Sequence, residues 1–272
     1  MKTVVKAKKG LANLDFKELW LYRELFYFFV WRDIKLRYKQ TFFGIAWAVM
    51  QPFIAMVVFT VIFGKLANVP SDNIPYPIFV YAGLLFWDIF SGSLNDSSQS
   101  LIRNAGIIQK LYMPKIIVPA TSITVSLVDF LFASLVLGGI MLYYGFIPHF
   151  QGLLLLPLLL LITIFSSFGL GLFFASLNVK YRDVRYALPY FIQLLIFVTP
   201  VIYPISIVPL KYQWLLALNP MTGVIDTFKA GFLGTALINW LTLGISAVVS
   251  VIFLLLGLVY FLKTEKFLAD II

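Results

Sequence analysis

The sequence predicts an all-α integral membrane protein with six transmembrane helices. Three observations carry this reading. Of 272 residues, 61% are apolar and 12% charged, where a soluble domain has about 45–50% and about 25%. The apolar residues fall into six long runs, each able to cross ~30 Å of hydrocarbon as a helix. Lys and Arg gather on alternate connections between those runs. Backbone polar groups must be paired in lipid, and the runs are continuous rather than alternating, so helices are expected and a barrel is not.

The first 41 residues are expected to form a basic N-terminal segment outside the membrane. Asp15 followed by Glu18 fits a capping box, so a helix is predicted to open near Phe16. Phe16, Leu19, Trp20, Arg23 and Tyr27 then follow at helical spacing. The pattern predicts an amphipathic interface helix over residues 16–37, lying on the cytoplasmic membrane face. It serves as a lipid anchor or as a collar that also docks a soluble partner.

A six-span domain is expected over 42–272, with spans near Phe42–Phe63, Tyr76–Leu101, Ile116–Ile147, Leu153–Leu177, Tyr186–Val208 and Leu237–Leu262. The first, fourth, fifth and sixth carry no charge. The second and third hold Asp88, Asp96 and Asp129, each costing ~2.5–3.5 kcal/mol if it faced lipid at mid-membrane. They are expected to face protein or water, Asp96 within reach of Arg103, and Asp88 beside Ser91-Gly92-Ser93 in a polar groove. No Lys, Arg or His inside a span offers itself as a partner for a proton relay. Small residues at four-residue spacing, Ser167, Gly171 and Ala175, and Ser122 and Ser126, mark packing seams.

Orientation follows from the cations. Eighteen Lys and Arg fall on one side and three, Lys65, Lys211 and Lys229, on the other. This places both termini in the cytoplasm and accounts for a net charge of +9 without nucleic acid. The first long apolar run lacks a cleavage site, so no signal peptide is expected. The cytoplasmic connection after span two, RNAGIIQKLYMPK, carries Ile107, Ile108, Leu111 and Tyr112 on a short helical stripe ended by Pro114. Such a helix suits a groove of another protein. The outer connection, about 206–236, mixes Pro and Gly with apolar runs and predicts short re-entrant helices between spans five and six.

The residues exclude several chemistries. There is no Cys and a single His, His149, so thiolate and multi-histidine metal sites are excluded. No G-x-x-x-x-G-K-[ST] occurs, so ATP cannot be held in a P-loop. No G-x-S-x-G or other acid/base set occurs, and no catalytic residue, metal or cofactor is expected. The 47 aromatic residues include several deep in the spans. Their faces can stack on the C–H side of sugar rings.

The strongest local signal is RDIKLRYKQTFFGIAWAVMQP, Arg32 to Pro52. It resembles the start of the transmembrane subunits of ABC transporters that export polysaccharides, the O-antigen and teichoic-acid export permeases. Further matches follow in order: Tyr81-Ala82-Gly83-Leu84, Leu111-Tyr112-Met113-Pro114, Asn178-Val179-Lys180-Tyr181-Arg182-Asp183, Pro200-Val201-Ile202-Tyr203 and Asn219-Pro220-Met221. Phe43 stands where many relatives are expected to have Leu. The resemblance covers essentially the whole chain.

The resemblance implies two copies of the chain with two copies of a separate cytoplasmic ATPase. It implies export of polysaccharide carried on undecaprenyl diphosphate across the bacterial inner membrane. The stripe Ile107, Ile108, Leu111 and Tyr112 becomes a coupling helix, and the outer re-entrant helices gate the exit. Arg32, Lys35, Arg37 and Lys39 are expected beside the carrier diphosphate, as charge-assisted donors or as positive-inside anchors. Trp47, Phe53, Phe59, Phe191, Phe197 and Tyr203 are expected to line the passage, with Pro52 and Pro200 allowing local bends. An exporter of teichoic acid, lipid, drug or haem on the same architecture is the alternative, followed by a membrane-embedded sugar-modifying enzyme.

Overall fold

A computed structural model describes residues 16–39, 44 and 46–271. The described residues are helical and turn, with no strand. Helices α1 (Phe16–Leu21) and α2 (Arg23–Tyr38) run on with barely a break, since Tyr22 N–H bonds Glu18 O and Phe26 N–H bonds Tyr22 O. Asp15 of the expected capping box lies outside the described residues, as do Lys2, Lys6, Lys8, Lys9 and the Phe42 boundary of span one.

The apolar stripe expected on this helix is only half right. Leu19, Tyr22, Phe26 and Phe29 pack inward, on Leu101, Ile117 and Phe261. Trp20 and Tyr27 point outward, 71% and 68% exposed. The helix is apolar on both faces, so spacing alone cannot choose between the two sets.

Five helices are long and apolar enough to cross a membrane: Val49–Leu66, Tyr76–Arg103, Ile117–Tyr144, Phe150–Lys180 and Trp240–Glu265. The first is α3 (Ala46–Phe59) continued by a π-helical turn, Thr60–Leu66. The others are α4 (Tyr76–Arg103), α6 (Ile117–Tyr144), α7 (Phe150–Lys180) and α11 (Trp240–Ile271). A single turn, α5 (Ala105–Ile108), follows α4.

Helix α4 is the axis of the fold. Ile78 to Trp87 are buried without interruption, because α3, α6, α7, α8 (Val184–Val198) and α10 (Pro220–Phe228) all pack on it. A helix that is apolar all round belongs in such a place. The tightest seam joins α7 to α11. A Cβ on Gly169 would lie 2.4 Å from the Leu254 nitrogen, and one on Gly257 1.9 Å from the Gly169 oxygen. Glycine at both positions lets the two backbones touch. Gly171, Ser167 and Ala175 are buried as expected, Gly171 against Ser97.

The expected fifth span, 186–208, is shorter in the structure. Helix α8 has 15 residues, about 22 Å of rise, short of the ~30 Å core. It stops at Val198 because Pro200 cannot continue it. Thr199 to Tyr203 then run without helix, with Val201 and Ile202 buried. Pro200 thus ends the helix and does not bend it.

Lys229, expected on an outer connection, is buried. Its ammonium donates to Pro200 O at 2.8 Å and Val201 O at 2.9 Å and sits 3.5 Å from the Phe79 ring centre. These bonds satisfy carbonyls that the broken helix leaves without partners. Helix α9 (Leu210–Ala217) leads to α10, capped by Asn219, whose side chain accepts from Met221 N–H. A π-helical turn, Lys229–Leu233, closes at Gly234, φ +71°. Almost every residue from Pro220 to Leu233 is buried among α4, α7 and α11.

Candidate functional site

Two acids of the spans, Asp88 and Asp129, converge where α2, α3, α4 and α6 meet. A cavity of about 280 Å³ opens there between Arg37, Trp47, Gln51, Asp88, Ser91 and Asp129. A second hollow, of about 530 Å³, lies between α2, α4 and α6 and is walled by Arg32, Asp33, Asp96, Arg103 and Asn104. Arg37 borders both.

The charges form a shared network. Arg37 Nη1 lies 2.9 Å from Asp129 Oδ2 and 3.8 Å from Asp96 Oδ2. Arg103 Nη1 donates to Asp96 Oδ1 at 3.0 Å, which is the pairing expected from sequence. The Tyr38 hydroxyl donates to Asp129 Oδ1. Burial, and donation to that carboxylate, push the Tyr38 pKa well above the usual phenol range, so this donor keeps its proton.

The sequence offers no partner for Asp129, because no cation lies within a span. The partner comes from outside: α2 packs on α6, and the long Arg37 side chain reaches over the helix end. One weak sign of it is legible, an isolated acid in a span following a helix that carries Arg.

Arg32 is held more locally. It forks onto Asp33 Oδ1 at 2.9 and 2.7 Å, donates to Asn104 Oδ1 at 2.7 Å and lies over the Phe29 ring at 4.7 Å. Asn104 ends α4, where its side chain donates to Ser100 O. The guanidinium therefore ties α2 to the start of the connection. Lys35 and Lys39 stand apart. Lys35 is exposed over the Trp31 ring at 4.9 Å, and neither borders the two hollows. Of the four cations expected beside a diphosphate, two reach the site, and both already contact carboxylates.

The expected coupling stripe is divided. Ile108 is buried against the cluster around Phe29 and Leu101, and Ile107 is packed on its edge. Leu111 and Tyr112 are 51% and 69% exposed. The helix lasts one turn before Pro114, so four residues do not share a face. Lys115 anchors the entry to α6, its N–H donating to Glu265 Oε1 and its ammonium to Glu265 O.

The six aromatics occupy five settings. Trp47 borders the polar cavity. Phe53 walls a separate apolar groove of about 590 Å³ with Val57, Lys65 and Tyr143. Phe59 instead packs on the core, edge-on to Phe63 at 5.9 Å. Phe191 and Phe197 are exposed on α8, and Tyr203 is half-buried, its hydroxyl donating to Val198 O. Helix α3 packs on α4 and α6, whereas α8 packs on α4 and α7. The two aromatic faces are therefore not joined within one chain.

The ABC-2 type transporter family model matches residues 24–233, from the second residue of α2 to the end of the buried outer segment. The chain belongs to the ABC-2 type transporter family. It is a multi-pass membrane protein, and that family's members are transport subunits. The chain is 28% identical over 241 residues to the O-antigen export system permease protein RfbA of Klebsiella pneumoniae, covering 89% of this chain and 92% of that one. Identity to the protein of the same name in Myxococcus xanthus is 31% over 222 residues, 79% and 83% of the two chains. The polysialic acid transport protein KpsM of Escherichia coli is 25% identical over 240 residues, 86% and 91% of the two. The matches span both hollows and the α8 break.

Proposed function

We propose that this chain is the permease subunit of an ATP-driven exporter that moves undecaprenyl-diphosphate-linked polysaccharide, of the O-antigen kind, across the bacterial inner membrane. The observation that carries the reading is near end-to-end similarity to export permeases of that name. The working unit is two copies of the chain with two copies of a cytoplasmic ATPase. Two features support the dimer: α3 and α8 each leave an apolar aromatic face uncovered, and one copy encloses no passage.

In this reading α8 and the buried stretch after it make the sixth crossing, and both termini are cytoplasmic. Residues 1–41 form the interface segment and 42–272 the permease domain, with α9 and α10 re-entrant from the outer side. Trp47, Phe53, Phe191, Phe197 and Tyr203 face the polymer. Arg32, Lys35, Arg37 and Lys39 stand near the carrier diphosphate, the two arginines exchanging carboxylate for phosphate. Leu111 and Tyr112 enter the ATPase groove, supported from beneath by Ile107 and Ile108.

Deleting the gene in its host tests the function. Surface polysaccharide is expected to vanish while its lipid-linked precursor accumulates inside the cell. Unchanged surface polysaccharide would overturn the reading. So would ATP hydrolysis by the purified chain alone, since it lacks a phosphate cradle.

A further inference from the structure

Asp88 is the one acid of the two hollows that the charge network leaves out. Its carboxyl borders the 280 Å³ cavity and is exposed to it. Among the described residues it has neither a hydrogen bond nor an ion pair. Gln51 and Ser91 border the same cavity, and among the described residues their side chains make no hydrogen bond either. Three polar groups thus face one space beside the spans, where a hydroxylated ligand can reach all of them.

Helix spacing aims these groups together. Asp88, Ser91 and Gly92 stand at i, i+3 and i+4 on one face of α4, and Trp47 and Gln51 at i and i+4 on α3.

The charge balance selects the occupant. A metal cation would find a single free carboxylate, since Asp129 is already held by Arg37 and Tyr38, and no described cluster of three His, Cys, Asp or Glu exists. An anion held in this cavity would lie against the Asp88 carboxyl, which repels it, whereas the second hollow offers Arg32, Arg37 and Arg103 on its wall. A neutral polyol suits every group present. Two adjacent hydroxyls can donate to one carboxylate, the Gln51 amide both donates and accepts, and the indole of Trp47 offers a face to C–H groups. The volume is near the lower limit of small-molecule pockets, about 300–1,000 Å³, which suits one sugar ring and not a chain.

We infer that Asp88, Gln51 and Ser91, with Trp47 as a platform, form a binding site for a single neutral sugar residue of the cargo, at the α2 end of the passage. This rests on the reading of the cargo as polysaccharide. It makes these residues determinants of which glycan is accepted, with Trp47 shared between this site and the aromatic lining.

The test uses the purified full chain in lipid nanodiscs and its own tryptophan emission. Neutral methyl glycosides, among them those of glucose, galactose, mannose and rhamnose, are titrated one at a time. At least one is expected to give a saturable change that disappears in Trp47→Phe. Its apparent affinity is expected to fall at least tenfold in Asp88→Asn and again in Gln51→Ala, two variants that differ in fold risk. In the host, Asp88→Asn is expected to lower surface polysaccharide at least tenfold at equal membrane abundance of the chain, with partial recovery in Asp88→Glu. A response to sodium or calcium ions or to N-acetylneuraminic acid, with none to neutral glycosides, would overturn the site. So would the absence of any saturable response, or export untouched by Asp88→Asn where gene deletion abolishes it. If gene deletion itself leaves the surface polysaccharide intact, the reading of the cargo fails first.

Discussion

Two regions of this molecule bring cations into apolar surroundings and treat them in opposite ways. Beside α8, Lys229 is enclosed, and its ammonium is committed to two backbone carbonyls and one aromatic face. Beside α2, Arg37 and Arg103 share Asp96, Arg37 also reaches Asp129, and the group opens onto two hollows. The first arrangement has one partner set and little room for another. The second has several pairings, from 2.9 to 3.8 Å, at partial exposure, so one can be exchanged for another at modest cost. A fixed charge holds a broken helix in shape. A shared one is suited to meet a ligand that comes and goes.

The sharpest way to break this contrast is Lys229→Met. It removes a charged donor and leaves two buried carbonyls unpaired, for an expected loss of roughly 3–5 kcal/mol. A melting midpoint in detergent that stays at the wild-type value would show that the buried lysine holds nothing. Arg37→Gln is expected to cost less, roughly 1–2 kcal/mol, between the ~0.2–1 of exposed pairs and the ~3–5 of buried ones. The Arg37 side chain is 40% exposed, and Tyr38 still serves Asp129. A loss equal to that of Lys229→Met would erase the distinction between fixed and shared charge.

Arg103→Ala removes a half-exposed pair and is expected to cost no more than ~1 kcal/mol, declining further in high salt. A double-mutant cycle with Asp96→Asn measures that coupling directly. The smallest effect on stability is expected from Tyr112→Asp, within about 0.5 kcal/mol, because the side chain is exposed. The same change is expected to prevent co-purification of the ATPase. Normal complex yield would make the connection after α4 a plain linker.

Some of this is legible in the sequence, and the rest is hidden for identifiable reasons. Long uncharged runs announce α3, α7 and α11, and α6 is interrupted only by Asp129, since nothing but a helix suits 18 or more apolar residues in lipid. Asp96 and Arg103 lie two turns apart on one helix, so their bond can be read directly. The end of α8 escapes a hydropathy reading because apolar residues continue past Pro200, and hydropathy does not register where hydrogen bonding stops. Lys229 looks like a residue of the outer surface for the same reason: its partners are carbonyls of a distant segment. The inward face of α1–α2 is undecidable from spacing, as both faces are apolar. Arg37–Asp129 joins residues 92 positions apart and belongs to packing alone.

The backbone contact between α7 and α11 has a mechanical consequence. Two rods touching at Gly169 and Gly257 cannot roll or slide past each other without colliding. They form a stator, and α4, locked into both α7 and α6, is bolted to it. Any stroke of the transport cycle must then be borne by parts lying outside this block: α2 with its Arg32 link to Asn104, α3 with its proline and π-helical turn, and the short α8. Two of them, α3 and α8, carry exposed aromatic rings, Trp47 and Phe53 on the first and Phe191 and Phe197 on the second. A stroke there moves those rings while the block behind them stays still.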